Sequence, residues 1–418
     1  MPSLFYVALI FVLFFVYAWS VYNLPILVMG VKNLLEAKQR PRRKQCQAQL
    51  PTFSIVVPVK DEEKVLGRLL EALEKLDYPQ DKKEVIIVED GSSDGTLETC
   101  RRYSEQHGQL AIKIFSKSWS DGKPSALNYG IKQATGEIIA IFDADNVPAS
   151  DALLNVCKYF EDPDVAAVQG RTMPINAREN MLTRFAAYED LVWYEVYMRG
   201  KDALNLFVHL RGSCQFIKRA VLNELGGFGE HTLSEDMELS VRLEEKGYRI
   251  RYASDVVSVQ ESPARLAQLF RQRTRWFRGT MEVALKYGRL MAKPSARRID
   301  AEATLFGPLI LVASLVTYFG AFYAAFSPAS LSLLVEFVMK FALVILTTTF
   351  FMCGLALVYS SKPRKVTSLL WLPFVYLYWS SQAFIASYAM MLILLRRPQK
   401  WLKTDKNGSA DPSFLSEA

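Results

Sequence analysis

The residues with the clearest potential for chemistry are Asp143 and Asp145, which follow a short apolar run at 138–142. Pro148 ends any continuation of that run, so the pattern predicts an inner strand with an acidic loop at its carboxyl end. Side chains two positions apart in an extended chain point the same way. Both carboxylates can therefore converge on one hard cation and the phosphate oxygens that it carries. A solvated turn, which Asp and Asn favour at strand ends, is the structural alternative.

Further acidic residues stand at 90 and at 235–236. Asp90 follows a strand predicted at 84–88, and in a parallel sheet it belongs to the same edge as Asp143, where open α/β sheets bind ligands. Thr232 and Glu235 precede an amphipathic helix and have the spacing of a capping box. That structural explanation does not need Asp236.

Strands that alternate with amphipathic helices must position these residues. Such alternation predicts right-handed crossovers and an α/β domain with a mainly parallel sheet, whose loops gather at one edge. The predicted strands lie at 53–57, 84–88, 113–115, 137–142 and 165–169, and the predicted helices lie at 62–76, 124–133, 181–198 and 237–246.

Composition separates this domain from the two ends of the chain. Of the 418 residues, 50% are hydrophobic, and these gather at the ends while the charged residues lie mostly between them. This distribution is typical of a membrane protein with a soluble domain between its membrane segments. The net charge of +7 suits anionic lipid or anionic substrates and gives no indication of nucleic acid. The five cysteines show no paired spacing and only three histidines accompany them, which argues against a disulfide framework or a zinc site.

The amino-terminal segment 4–29 is nearly uncharged and long enough to cross roughly 30 Å of hydrocarbon as a helix. A run of basic residues follows it at 32–44. By the positive-inside rule this run is cytoplasmic, so the amino terminus is expected outside and the central domain in the cytoplasm.

Two further spans are predicted at 303–326 and 331–360, joined by a short uncharged turn. Glu336 and Lys340 are four residues apart within the second span, where they form either a pathway pair or a mutually satisfied structural pair. The segment 366–395 is apolar, but as a span it would place the basic residues 396–403 outside. We therefore expect a kinked interfacial segment, with Pro373 near its start.

The segment 264–286 interleaves arginines with apolar residues at helical spacing, which predicts an amphipathic helix in the membrane interface. Trp276 within it offers a flat apolar face to a sugar ring, or else anchors the helix at the interface.

At this point the residues resemble the membrane-integrated family 2 glycosyltransferases, which include hyaluronan, cellulose, chitin and poly-N-acetylglucosamine synthases. The resemblance runs from residue 53 to about residue 408 and implies a GT-A-type, Rossmann-like cytoplasmic domain flanked by transmembrane and interfacial helices. The motifs that carry it, in chain order, are residues 58–62, Glu89-Asp90-Gly91, Gly122-Lys123-Pro124-Ser125-Ala126-Leu127-Asn128, Asp143-Ala144-Asp145, Ser234-Glu235-Asp236 and Gln272-Arg273-Thr274-Arg275-Trp276.

The resemblance implies a role for each matched residue. Asp236 would be the catalytic base, Asp145 the metal ligand, and Trp276 and Glu235 would contact the acceptor. The tail with Trp401, Thr404 and Lys406 is similar to a gating loop that closes over the nucleotide. The residues implied to bind the nucleotide and its diphosphate are Pro58, Glu62, Asp90, Lys123, Asp143, Gln272 and Arg275.

The same resemblance divides the chain into parts. The expected order is a transmembrane helix, a basic linker, the GT-A domain, interfacial helices with the Gln-Arg-Thr-Arg-Trp motif, two transmembrane helices, a kinked interfacial segment and the gating tail. Their boundaries are 1–30, 31–50, 51–260, 261–300, 301–360, 361–397 and 398–418.

The expected activity is a processive, inverting transfer from UDP-GlcNAc or UDP-Glc, assisted by Mg²⁺ or Mn²⁺, that builds a β-linked polysaccharide at the cytoplasmic face of the plasma membrane. Transfer of a single sugar to a membrane lipid is the alternative, and a non-catalytic scaffold or channel is a third. The expected partners are the UDP-sugar, a glycan or lipid acceptor and the bilayer, with a small membrane subunit or a second copy left open. Two departures from the family are the absence of a membrane pair after the tail and Ser234 in place of the Thr of cellulose synthases.

Overall fold

The computed structural model describes residues 4–37, 49–106, 111–288, 290–326, 366–399 and 403–410, with short stretches at 340, 344, 347–355 and 357–358. The chain divides into two compact units, which are described separately. The helical unit comprises Met1–Gln39, Leu191–Leu206 and Phe270–Lys400. The sheet unit comprises Arg40–Asp190, Phe207–Leu269 and Trp401–Ala418.

Within the described residues, the sheet unit holds an eight-stranded sheet in the order β3-β2-β1-β4-β7-β6-β8-β5. Strand β1 pairs in parallel with β2 and β4, β2 with β3, and β6 with β8, whereas β7 and β5 pair antiparallel to their neighbours. The mainly parallel α/β fold predicted from the sequence is confirmed. The strands are β1 (Phe53–Val59), β2 (Lys83–Asp90), β3 (Ile112–Lys117), β4 (Ile138–Ile141), β5 (Val147–Pro148), β6 (Val165–Pro174), β7 (Gln215–Lys218) and β8 (Arg249–Gln260).

The helices of both units follow the predicted positions closely where apolar periodicity was strong. In chain order they are α1 (Leu4–Ala37), α2 (Glu63–Glu74), α3 (Thr96–Gln106), α4 (Lys123–Gln133), α5 (Ala152–Cys157), α6 (Met181–Val192), α7 (Arg199–Ala203), α8 (Arg219–Leu225), α9 (Glu235–Glu245), α10 (Leu266–Tyr287), α11 (Ala296–Phe326) and α12 (Leu372–Leu394).

The core of the sheet unit lies between β1, β2, β4 and helices α2 and α5. The apolar positions of α2 are buried, and so is almost every residue of β1 and β4. Phe53 contacts Tyr78 and Phe216 edge to face, with ring centroids 5.2 and 6.4 Å apart. This rigid core fixes the carboxyl ends of β1, β2 and β4, from which the acidic loops begin.

Strands β7 and β8 were not predicted. Strand β8 contains Arg249, Arg251 and Asp255, so it shows no continuous apolar run. It becomes a strand because it pairs along its length with β6, a contact between residues distant in sequence.

The helical unit contains α1, which continues through Pro25 and ends at Ala37, beyond the predicted boundary at residue 30. Helix α11 begins at Ala296, before the predicted boundary at 301. The helix predicted at 181–198 is formed by α6 and a π-helical stretch, Trp193–Met198, that leads into α7.

Among the described residues, two helical stretches are long and apolar enough to cross a membrane, Leu13–Glu36 and Leu369–Leu394. Pro373 lies in the first turn of α12, where a proline is tolerated, and a 3₁₀ turn at Val366–Trp371 precedes it. Glu336 lies outside the described residues, as do most of the basic run at 32–44 and most of the second predicted span at 331–360. The number of spans and their orientation stay predictions.

Candidate functional site

The Asp143–Asp145 loop follows β4 at the carboxyl edge of the parallel strands. The Asp143 backbone N–H donates to Ser213 Oγ at 2.9 Å, and its carboxylate Oδ1 lies 2.7 Å from Lys123 Nζ. Asp145 is only 5% exposed and pairs with Lys406. Because both carboxylates are bound to lysines, the alternative of a solvated turn does not describe this loop.

Lys123 links this loop to the acidic pair at the start of α9. Its ammonium donates to the Gly212 carbonyl at 2.9 Å and lies 3.4 Å from Glu235 Oε1, in addition to its contact with Asp143. Burial lowers the pKa of Lys123, but Asp143, Glu235 and Asp236 outweigh that effect and raise it. Burial, together with Asp145, raises the pKa of Asp143 against the opposing effect of Lys123. The lysine is therefore a fixed positive charge at the sheet edge.

Asp236 lies in the first turn of α9. Its carboxylate Oδ1 accepts hydrogen bonds from the Met237 backbone N–H at 2.7 Å and from Ser234 Oγ at 3.1 Å. Burial raises the pKa of Asp236 to about 6, and Glu235 adds to the rise while Lys123 opposes it. A carboxyl group that titrates near neutral pH is well matched to proton transfer.

Gly212 brings Lys123 and Asp236 to the same place. It has φ +80°, and a Cβ atom at this position would lie 3.3 Å from Lys123 Nζ and 3.4 Å from Asp236 Oδ2. A side chain here would fill the space between the positive charge and the proposed base.

The capping box considered for Thr232 and Glu235 is not formed. Ser234 is the N-cap residue of α9 and Glu235 is the first residue of the helix, so Glu235 cannot cap as an N3 residue would. Its carboxylate instead faces Lys123. The acceptor contact predicted for Glu235 stays a prediction.

Asp90 ends β2 and is almost fully buried. Its Oδ1 accepts from Lys117 Nζ at 2.8 Å, and its Oδ2 accepts from Ser120 Oγ at 2.6 Å and from the Gly122 N–H at 3.1 Å. Pro58 lies in neighbouring strand β1, paired with Val88 of β2. The contacts of Asp90 anchor the loop that leads into α4. Lys117 and Ser120, which make two of these contacts, are site residues that the sequence did not indicate.

The tail residues 403–410 lie against Asp145 and Glu62. Lys406 Nζ is 2.5 Å from Asp145 Oδ2, and Lys403 Nζ is 3.1 Å from Glu62 Oε1. Burial raises the pKa of Glu62 to about 7, with Lys403 opposing and Asp145 adding to the rise. The structure thus brings together Glu62, Asp145 and Lys406. Thr404 belongs to the same stretch, whereas Trp401 lies outside the described residues.

Glu261 is a further residue that sequence analysis missed. It follows β8, is 3% exposed, and donates its backbone N–H to Asp145 Oδ2 at 3.2 Å. The signal was available in principle, because Glu261 stands at the carboxyl end of a strand as Asp143 does. It was not used because β8 itself was not predicted.

Gln272, Arg275 and Trp276 lie on the part of α10 that belongs to the helical unit. The Arg273 guanidinium stacks on the Trp276 ring, 4.5 Å from its centroid. One face of this tryptophan is thus covered by a cation. The roles predicted for Gln272 and Arg275 at the diphosphate and for Trp276 at the acceptor stay predictions.

A divalent cation fits this edge only together with a substrate. Among the described residues, no group of three or more His, Cys, Asp or Glu side chains could hold a metal by itself. Asp145 offers hard carboxylate oxygens, and the ammonium of Lys406 already lies against one of them, so the position accepts a cation. The remaining ligands would come from the diphosphate of a nucleotide.

Comparison with known proteins shows the family to which the chain belongs. A model of the family described as "Glycosyltransferase like family 2" matches residues 51–279. The chain is 30% identical over 287 residues to the probable glycosyltransferase YdaM of Bacillus subtilis, covering 68% of each protein. It is 35% identical over 270 residues to a β-monoglucosyldiacylglycerol synthase of Trichormus variabilis, covering 64% of this chain but only 57% of that one.

A poly-β-1,6-N-acetyl-D-glucosamine synthase of Staphylococcus epidermidis is 28% identical over 239 residues, covering 57% of each chain. Among solved structures, the mannosyltransferase PcManGT of Pyrobaculum calidifontis, in complex with GDP-Man and Mn²⁺, has a TM-score of 0.62 at 24% identity and covers 93% of this chain and 100% of its own. That likeness shows a shared GT-A fold. Because the family model matches more than half of the residues, the chain belongs to the family 2 glycosyltransferases and is an enzyme of that family.

Proposed function

We propose that this enzyme transfers one hexosyl group from a UDP-sugar to the hydroxyl of a membrane lipid, with inversion at the anomeric carbon. The observation that carries the transfer chemistry is Asp236, a half-buried carboxylate that lies with the fixed positive charge of Lys123 beside Gly212. The two groups match the two needs of the reaction, a base for the acceptor and a cation for the leaving group.

Asp236 acts as the general base. With its pKa near 6 it is ionised at neutral pH and can accept the proton of the attacking hydroxyl. Ser234 and the Met237 N–H hold one carboxylate oxygen, which leaves Oδ2, on the side of Gly212, for the acceptor. One displacement inverts the centre, so an α-linked donor gives a β-linked product.

Lys123 stabilises the departing UDP. Its pKa is raised by three carboxylates, so it stays charged throughout the reaction, and an ammonium binds phosphate oxygens as a point charge. Asp90 and its loop are proposed to hold the uridine at the neighbouring strand end. A Mg²⁺ or Mn²⁺ ion bound through Asp145 would offset the charge that develops on the diphosphate.

The choice of a lipid acceptor rests on the relatives. The proteins named β-monoglucosyldiacylglycerol synthases are 33 to 35% identical to this chain, against 28 to 30% for the proteins named poly-β-1,6-N-acetyl-D-glucosamine synthases. The two apolar helical stretches suit an enzyme that works at a membrane, where a diacylglycerol-type acceptor lies. The donor would come from the cytoplasm, and the amino terminus would lie outside.

Processive polymer synthesis is the second candidate. The observation that favours it is the Gln-Arg-Thr-Arg-Trp motif on α10 together with a tail of the gating type that contacts Glu62 and Asp145. These features resemble those of polymer synthases.

The test is a screen of UDP-sugars, one at a time, with the full-length protein in vesicles that contain diacylglycerol and Mn²⁺ or Mg²⁺. We expect UDP release that depends on diacylglycerol and a labelled product that partitions into organic solvent and co-migrates with a monoglycosyl lipid. The matched negative control is Asp236→Asn.

Each other result has a definite meaning. A labelled product of high molecular weight that a glycosidase degrades would transfer the assignment to polymer synthesis. The absence of UDP release with every sugar, in vesicles with and without diacylglycerol, would contradict the transferase proposal itself.

A further inference from the structure

Glu261 makes contacts that none of the roles above explain. Its Oε1 accepts a hydrogen bond from the Asn407 N–H at 2.6 Å, and its Oε2 accepts one from the Gly408 N–H at 3.0 Å. Two consecutive backbone N–H groups thus share one buried carboxylate. Hydrogen bonds to an ionised acceptor are the stronger kind, so this contact fixes the tail at a defined position.

Arg68 completes the contact from helix α2. Its Nη1 donates to the Ser409 carbonyl at 3.2 Å and to the Gly408 carbonyl at 3.5 Å, while its Nη2 lies 3.5 Å from Glu261 Oε2. Glu261 and Arg68 together therefore bind N–H donors and carbonyl acceptors of the backbone at residues 407–409.

Gly408 gives this piece its shape. Its φ of +79° lies in the left-handed region that favours glycine, and a Cβ atom would lie 3.3 Å from the Lys64 carbonyl oxygen. The turn presents the 407 and 408 amides to Glu261, so the recognition depends on this residue of the tail.

Docking at Glu261 also places Lys406. The Lys406 ammonium donates to the Glu261 carbonyl at 2.8 Å and lies 2.5 Å from Asp145 Oδ2. A divalent cation that binds this oxygen at about 2.0–2.1 Å, as Mg²⁺ does, would meet the ammonium at close range. The two positive charges exclude each other at that oxygen.

We propose that Glu261 and Arg68 are positioning residues that dock residues 406–409, and that this docking makes Lys406 a competitor of the donor's divalent cation for Asp145. The inference rests on the proposed function, because the donor's cation gives Asp145 its role. Entry of the cation then moves Lys406 off Asp145, which couples donor binding to the position of the tail.

Two measurements on the full-length protein without any sugar donor test this. The first is amide hydrogen exchange of peptides that cover 403–410. We expect Glu261→Gln and Arg68→Met each to speed exchange there by about tenfold, the loss expected for a charged hydrogen bond. Glu105→Gln, at an exposed position of α3, is the matched control.

The second measurement is Mn²⁺ binding in the presence of UDP, which supplies the diphosphate ligands but no sugar, followed by electron paramagnetic resonance. We expect Lys406→Met to bind Mn²⁺ about tenfold more tightly than the parent protein. Lys64→Met removes an exposed charge near the tail without touching Asp145 and should leave the affinity unchanged.

Unchanged exchange in both Glu261→Gln and Arg68→Met would overturn the docking. Mn²⁺ binding to Lys406→Met that is absent, or no tighter than to Lys64→Met, would overturn the competition at Asp145. Because neither measurement uses a donor, a chain that shows both changes but turns over no UDP-sugar would retain the docking and lose the proposed function.

Discussion

Lys123 and Asp236 both lie within a few ångströms of where a Gly212 side chain would begin, and their electrostatic roles differ. The lysine is a fixed positive charge, and the aspartate is the proposed base. Three carboxylates surround the lysine and keep it charged, whereas burial and Glu235 make the aspartate a weaker acid than usual. The surroundings thus favour the charged form of the lysine and disfavour the charged form of the aspartate. Such a contrast between neighbouring titratable groups is typical of sites of acid–base chemistry.

The first prediction concerns the base. Asp236→Asn retains the size of the side chain and an oxygen for the Met237 N–H, but it cannot accept a proton. We expect kcat to fall by about 10²- to 10⁴-fold while the Kd for UDP-sugar, measured by calorimetry, changes little. Loss of binding in parallel with activity would remove the general-base assignment.

The second prediction concerns pH. Asp236 must be ionised to act, and burial raises its pKa to about 6. Activity is then complete well above pH 6 and is lost as pH falls through 6, with kcat/KM decreasing about tenfold per unit below it. The residual activity of Asp236→Asn should lack this limb of the profile. If the same limb persists in the variant, another group is responsible.

The third prediction concerns the cation. Asp145→Asn keeps an oxygen near the Glu261 N–H but removes the charge that would hold the metal. We expect the affinity for UDP in the presence of Mn²⁺ to fall by about tenfold or more, and the affinity in the presence of a chelator to stay close to that of the parent. An equal loss under both conditions would contradict the role of Asp145 in metal binding.

The sequence identified individual candidate site residues more successfully than it identified the contacts that position them. Asp90, Asp143, Asp145 and Asp236 could be singled out because each follows a strand or begins a helix at the predicted edge of the sheet. Arg68 and Lys117 could not, because their importance comes from partners that are 27 to 341 positions away in sequence, and Glu261 was missed together with β8.

At the scale of elements, apolar periodicity predicted α2 and the strands β1, β2 and β4, which are buried where the pattern indicated, and it also predicted α4 and α10. It missed β7 and β8, whose pairing with distant strands overrides weak local preference. It also missed the π-helical stretch Trp193–Met198, because a one-residue insertion in a helix leaves little trace in the apolar pattern.

The fourth prediction concerns the crossing of α1 with this stretch inside the helical unit. A Cβ atom on Gly30 would lie 2.0 Å from the Val196 carbonyl oxygen, and one on Gly200 would lie 2.0 Å from the Ile26 carbonyl oxygen. Either glycine replaced by alanine must force the helices apart. We expect Gly30→Ala to cost about 1–3 kcal/mol, seen as a lower unfolding temperature in detergent.

The matched control lies on α2. Gly67 has nothing within 4 Å of its added Cβ, so Gly67→Ala should stabilise by about 0.4–1 kcal/mol through the unfolded chain. Opposite signs for the two glycine substitutions would support the close crossing. A stabilising Gly30→Ala would contradict it.

At the scale of the whole molecule, a buried polar cluster joins three distant parts of the sequence within the helical unit. Lys201 Nζ lies 3.0 Å from Asp300 Oδ2, and neither side chain is exposed. Tyr22 donates its hydroxyl to Asp300 Oδ1 at 2.6 Å, and Lys201 also donates to Thr304 Oγ1 at 2.6 Å. Helices α1, α7 and α11 are thus held in one register by groups that composition alone could not connect.

The fifth prediction follows from this cluster. Lys201→Met leaves the buried Asp300 carboxylate without its cation, which should cost about 3–5 kcal/mol. Lys201→Met combined with Asp300→Asn keeps an oxygen for Tyr22 and leaves no buried charge, so we expect the double variant to regain most of the lost stability. The measurement is the unfolding temperature of the three variants and the parent in one detergent. If the double variant is as unstable as the sum of the two single changes, the pair acts through shape and packing, and its charges do not set the register of the three helices.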